Sequence, residues 1–214
     1  MGEITEREVE WATVRRMQQM LHTPHRAFEE THTYSLFNSI LCWTLQRIRS
    51  VPTHPNEPPN RAQRQENARA EDPLFDAVDG LQDHLQQTTV ERVFPGMVAG
   101  EQIEEPQINT LPNRDAEGNE ISCLAFLIAL RNATAHGDGR KVKPINQNNR
   151  LVGFELPLIN PKHFPDWTAV VRLDRAGMCQ ISDTLVTNFC NALINPEDHE
   201  AIEHANGLVE TVRQ

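Results

Sequence analysis

The run Leu130-Arg131-Asn132-Ala133-Thr134-Ala135-His136-Gly137-Asp138 gathers residue types that can act on a phosphate diester. Arg131 is a permanent cation whose planar fork matches phosphate oxygens. His136 can give or take a proton near neutral pH. Asn132 can orient the histidine or bond a phosphate oxygen. Arg140, Lys141, Lys143 and Arg150 follow closely, and could track an RNA backbone with a salt-dependent affinity. The same Arg131, Asn132 and His136 could instead be a buried polar cluster that ties helices together, and the basic segment simply a solvated surface.

Other constellations point to less. His22, His25 and His32 have no acidic partner in the sequence pattern that would complete a metal site, so they read as surface histidines and no metal is expected. His199-Glu200 with His204 misses the HExxH zinc pattern by one position, where Glu203 stands. The nucleophile elbow, the phosphate-binding P-loop and the dinucleotide glycine pattern are all missing. No cofactor is therefore expected.

The elements that must hold the segment read mostly as helices. Thr5-Glu6-Arg7-Glu8 is a capping box, and the helix behind it has a stripe of Trp11, Val14, Met17 and Leu21. Thr23-Pro24 reads as the next helix start, a capping hydroxyl followed by proline. The expected stripe of that second helix is Phe28, Thr31, Tyr34, Phe37, Ile40, Leu41, Thr44, Leu45 and Ile48. Asp72-Pro73 repeats the signal ahead of Leu74, Val78, Leu81 and Leu85. Ile121 to Leu130 is apolar on nearly every side and predicts the buried central helix, which delivers Arg131 at its end. Arg150–Leu156 and Thr168–Leu173 read as two short strands. A helix follows with Met178, Ile181, Leu185, Phe189 and Leu193 on one face, and a last helix is expected over 196–212.

The chain of 214 residues carries 20 basic and 30 acidic side chains, a net charge of −10. That length predicts a single domain over 1–214. Its expected elaborations are a proline-rich loop at 51–71 and an irregular acidic insertion around 94–119. The charge is uneven: 51–120 has five basic and fourteen acidic residues, whereas 121–175 has eight basic and four acidic. An acidic chain with one basic segment argues against a general nucleic-acid coat and leaves room for a local anion site. Its acidic 71–120 segment could contact a basic partner. The longest apolar run falls short of the roughly 20 residues a membrane span needs, so no membrane association is expected. Cys42, Cys123, Cys179 and Cys190 lack CxxC spacing, and with no secretory pattern at the amino terminus they read as reduced thiols in a cytoplasmic protein.

The Arg131-Asn132-His136 set resembles the signature of the HEPN family, in which an Arg, often followed by a polar residue, precedes a His by four to six residues. Spacings of this kind recur by chance, as from Arg15 or Arg16 to His22, Arg26 to His32, and Arg47 or Arg49 to His54. Only Arg131 is followed directly by Asn, comes at the end of an apolar helix and precedes a glycine stop. The resemblance implies a mainly α, HEPN-like helical bundle, here with a small two-stranded β elaboration. It also implies a metal-independent endoribonuclease that attacks phosphate with the ribose 2′-OH, in phage or plasmid defence or as a toxin. Arg131 and His136 lie about 140° apart on an ideal helix. They could converge only if the helix ends at His136 or a second copy completes the cleft. The family's answer is a homodimer with one composite site. A toxin subgroup places Tyr two residues after the His, where this chain has Asp138. The alternatives are a non-catalytic module that binds RNA or nucleotide, or an interaction protein with an antitoxin or other defence-system partner.

Overall fold

The computed structural model describes residues 8–24, 27–48, 73–98, 107–115, 117–135, 142–159 and 168–194. The proline-rich 51–71, the Thr5 cap and the helix expected over 196–212 lie outside them.

Helix α1 spans Val9–His22 and buries Trp11, Ala12, Val14 and Leu21. It stops at Thr23, whose backbone is extended (φ −73°, ψ 125°) and whose amide and hydroxyl both donate back to the Gln19 carbonyl. Pro24 disfavours the helical conformation of the residue before it, so Thr23-Pro24 closes α1 rather than opening the next helix. Helix α2, Glu29–Ile48, starts five residues later than that dipeptide. Phe28 precedes it with φ 57° and is 81% exposed. The expected α2 stripe is therefore corrected at its start: Phe28 and Thr31 face solvent, and burial begins with Thr33, Leu36 and Phe37.

Helix α3, Pro73–Gln87, opens on the predicted proline and buries Val78, Leu81 and Leu85. After the short α4, Val90–Val93, Phe94, Met97 and Leu111 turn into the core. Residues 94–98 and 107–115 are irregular, yet Val98 and Leu111 bridge each other and Ile108 bridges Arg172.

Helix α5 is Cys123–Ala135, with eight consecutive buried residues from Cys123 to Leu130. The Ser122 hydroxyl accepts from the Ala125 amide at 3.2 Å and caps its start. α5 packs between α2, α3 and the sheet, and Phe126 meets Phe94 edge-on at 6.0 Å. Each such side chain fully buried contributes about 1.5–3 kcal/mol.

The fold class is corrected here. The chain is not a mainly α bundle with two strands but a mixed α/β structure carrying a three-stranded antiparallel sheet, order β1-β2-β3. The strands are β1 Lys143–Gln147, β2 Arg150–Ile159 and β3 Thr168–Asp174. The unexpected β1 is a polar edge strand, exposed except at Ile145, so it has no apolar pattern to reveal it. Asn148 (φ 49°) and Asn149 (φ 61°) form the two-residue turn to β2, a conformation asparagine tolerates and hairpins prefer. Pro144 is accommodated because β1 lies at the edge.

β2 and β3 turn Leu156, Leu158, Val171 and Leu173 into the core. Gly153 lets these two strands approach: a Cβ there would sit 2.4 Å from the Leu173 carbonyl oxygen. β3 runs directly into α6, Arg175–Leu193, whose cap Asp174 accepts from the Gly177 amide at 3.0 Å. α6 packs along α1, α2 and α3 and closes the core with Met178, Ile181, Leu185, Val186 and Phe189.

Candidate functional site

Eight buried residues bring α5 through the core, and the next two side chains, Arg131 and Asn132, are half-buried. The helix thus carries its first polar groups to the edge of the packed interior. The Thr134 hydroxyl donates to the Arg131 carbonyl at 3.0 Å, a side-chain bond back along the last turn of the helix. His136, Arg140 and Lys141 lie outside the described residues.

The structure separates the other two expected RNA contacts. Lys143 starts β1 and stands opposite Glu155, whereas Arg150 starts β2 and stands opposite Gln147. Four residues of strand, about 13 Å, divide them. The Lys143 ammonium donates to Glu155 Oε1 at 3.0 Å, and Arg172 Nε donates to Glu155 Oε2 at 2.9 Å. These hydrogen bonds, Lys143's first and then Arg172's, hold the Glu155 carboxyl below the usual carboxylate range. Lys143 is thus part of a Lys143–Glu155–Arg172 ladder. The strand pattern of β2 and β3 put Glu155 and Arg172 on strands, but not the lysine beside them.

Tyr34, Asn38 and Cys42 form a half-buried row on α2 at i, i+4 and i+8; the sequence placed Tyr34 in the helix stripe and Cys42 among the reduced thiols, but not Asn38 or the row they make. Tyr34 packs on Phe154 of β2, with ring centroids 4.4 Å apart and planes inclined by 35°. The Cys42 thiol donates to Asn38 Oδ1 at 3.5 Å. Burial pushes that thiol above its ordinary value, and the Arg131 charge nearby pulls partly the other way. Burial likewise raises the Tyr34 hydroxyl, with a smaller contribution from Cys42. Both groups are therefore neutral at pH 7, and the Arg131 charge acts on Cys42 at the end of this row. The signal available in the sequence was their four-residue spacing, which puts them on one side of the helix.

Of the histidines, His22 has an acidic partner that no local pattern could reveal. Its Nε2 lies 2.8 and 3.0 Å from the two oxygens of Asp183 on α6, and Gln18 Nε2 donates to the same carboxylate at 2.7 Å. Among the described residues no three histidine, cysteine or acidic side chains are grouped to hold a metal ion. Cys123 and Cys190 are buried free thiols, pushed up to about 12 and about 11 by desolvation, while Cys42 and Cys179 are half-buried. None of the described helices is long and apolar enough to cross a membrane.

Comparison of the chain with protein-family models, with curated proteins and with solved structures gave no match.

Proposed function

We propose that the protein is a metal-independent endoribonuclease of HEPN type, acting as a homodimer in the cytoplasm. The observation that carries this reading is the placement of Arg131 and Asn132. A helix buried along eight residues carries a half-buried Arg131–Asn132 pair near its end at Ala135, and four residues separate Arg131 from His136. Catalytic groups are held best on rigid elements whose own packing fixes them.

In the proposed reaction the ribose 2′-oxygen attacks the adjacent phosphorus in line. The 2′-O–P bond forms and the P–O5′ bond breaks, leaving a 2′,3′-cyclic phosphate and a 5′-hydroxyl. His136 takes the 2′-OH proton or supplies one to the leaving oxygen, a role worth about 10²–10⁴-fold. Arg131 stabilises the charge that develops on the phosphorane oxygens. Asn132 orients the histidine or holds a phosphate oxygen. On an ideal helix Arg131 and His136 would lie about 140° apart, and in the proposed reading a second copy supplies the complementary half of the cleft. Defence against phage or plasmids, or a toxin restrained by an antitoxin, is the setting this chemistry suits.

The test is incubation of mixed RNA with the full chain in EDTA, alongside His136→Ala. Cleavage to cyclic-phosphate ends by the unmutated chain alone is expected. Equal cleavage by His136→Ala, or 5′-phosphate ends formed only with added Mg²⁺, would reject the mechanism. RNA binding without cleavage would favour a non-catalytic binding module.

A further inference from the structure

A cleft of about 590 Å³ lies over the outer face of the sheet, away from α5, lined by Lys143, Ile145, Asn146, Gln147, Arg172 and Ile108, among others. That volume falls within the range of small-molecule sites, roughly 300–1,000 Å³. Three features show how the fold builds it. Strand alternation puts Glu155 and Arg172 outward, because Leu156, Val171 and Leu173 point into the core. The β1–β2 register shifts between Ile145 and Asn146, an irregularity that breaks strict alternation. Such bulges re-aim side chains, which lets Ile145, Asn146 and Gln147 in succession line one cleft. Finally, the Ile108–Arg172 bridge brings an isoleucine, 40% exposed, to its rim.

We propose that this cleft is a nucleotide subsite for single-stranded RNA, an inference that rests on the ribonuclease reading for its substrate. A nucleotide has a flat apolar face, a polar edge, a ribose hydroxyl and an anion. Ile108 and Ile145 offer apolar surface to the base. The amides of Asn146 and Gln147 each carry donors and an acceptor for a base edge. Lys143 is 71% exposed and spends one of its three donors on Glu155, leaving two for a phosphate. Glu155 is a positioning residue that holds Lys143 and Arg172 level on one face. Its carboxylate has about four acceptor sites, two of them taken by these cations, so it can also accept from a ribose 2′-OH. That contact would distinguish RNA from DNA. Eight residue steps separate Ala135 from Lys143, a reach of at most about 28 Å, so one strand can span the α5 end and this cleft.

The experiment measures binding of a short fluorescent single-stranded RNA, and DNA of the same sequence, by the full chain carrying His136→Ala. Lys143→Gln is expected to weaken RNA binding several-fold and to lower the salt slope by about 0.7, the loss of one phosphate contact. The pair Asn146→Asp and Gln147→Glu, both on exposed side chains, should weaken it roughly tenfold by repelling phosphate. The unsubstituted cleft should prefer RNA to DNA. Unchanged affinity and salt slope in both variants, with unchanged circular dichroism, would overturn the subsite even if the wild-type chain cleaves RNA. Weakened binding in a chain whose wild type never cleaves would uphold the subsite and overturn the nuclease reading.

Discussion

Asn109 and Asp174 hold each other by two hydrogen bonds: the Asn109 amide donates to Asp174 Oδ1 at 2.7 Å, and its Oδ1 accepts from the Asp174 amide at 3.1 Å. A third bond runs from the Asn109 amide nitrogen to the Arg172 carbonyl at 2.7 Å. Together they fasten the irregular 107–115 segment to the junction where β3 becomes α6. The same Asp174 oxygen caps α6, so the cap and the tether depend on one carboxylate.

Asn109→Ala is expected to cost about 1–3 kcal/mol, since it leaves partly buried partners unpaired. Gly177→Ala should be at least as damaging, because its Cβ would lie 2.0 Å from Asn109 Oδ1 and force the tether open. For a chain of this size each kcal/mol lowers Tm by about 2–4 °C. Thermal unfolding followed by circular dichroism would check both, and a Tm unchanged in the two variants would count against the tether.

Glu155 predicts a definite acid-side behaviour. Its folded-state carboxyl titrates below the ordinary 4.5 because Lys143 and Arg172 donate to it. A group with a depressed folded value stabilises the native state fully above its unfolded value and loses that contribution as pH falls through the folded one. Stability should therefore decline below about pH 4.5, and Glu155→Gln should flatten this part of the curve. Urea midpoints measured from pH 7 down to pH 3 would show it. An identical pH dependence in the variant would mean that the ladder contributes nothing to folding.

Cys42 reports on Arg131. Removing that cation by Arg131→Ala takes away the one influence that offsets burial, so the thiol should titrate higher still. Only the thiolate is nucleophilic, so alkylation at a given pH should slow. The measurement is iodoacetamide labelling of Cys42 across pH 7–10 in a Cys179→Ser background. Cys123 and Cys190, buried and pushed up to about 12 and about 11, should stay unlabelled in the folded chain. If Arg131 is catalytic, the same substitution should also abolish RNA cleavage with little change in Tm. A lower Tm with RNA cleavage unaltered would make it a structural tie.

Some of this molecule follows from residue order alone. Ile121 to Leu130 contains almost nothing that water could solvate, so α5 had to run through the core whatever its neighbours. The same holds for the stripe of α6, whose burial is written in its period, while β2 and β3 were legible as strands from their Val, Phe and Leu content. Position 131 as the first polar group beyond that buried run was legible for the same reason.

Periodicity encodes burial but not partners, and the tertiary structure decided the rest. Thr23-Pro24 offers a cap to the helix after it and an end to the helix before it, and the structure shows the second, with Thr23 bonded back to the Gln19 carbonyl. Lys143–Gln147 has no apolar face, so it became a strand only by pairing with β2 across the Asn148-Asn149 turn, and the mixed α/β architecture came with it. Glu155 meets Lys143 twelve residues away and Arg172 seventeen away, and Cys42 meets Arg131 from another helix. Such neighbours are created by the crossing of elements, because polar side chains choose partners through space while their own segments carry no trace of the choice.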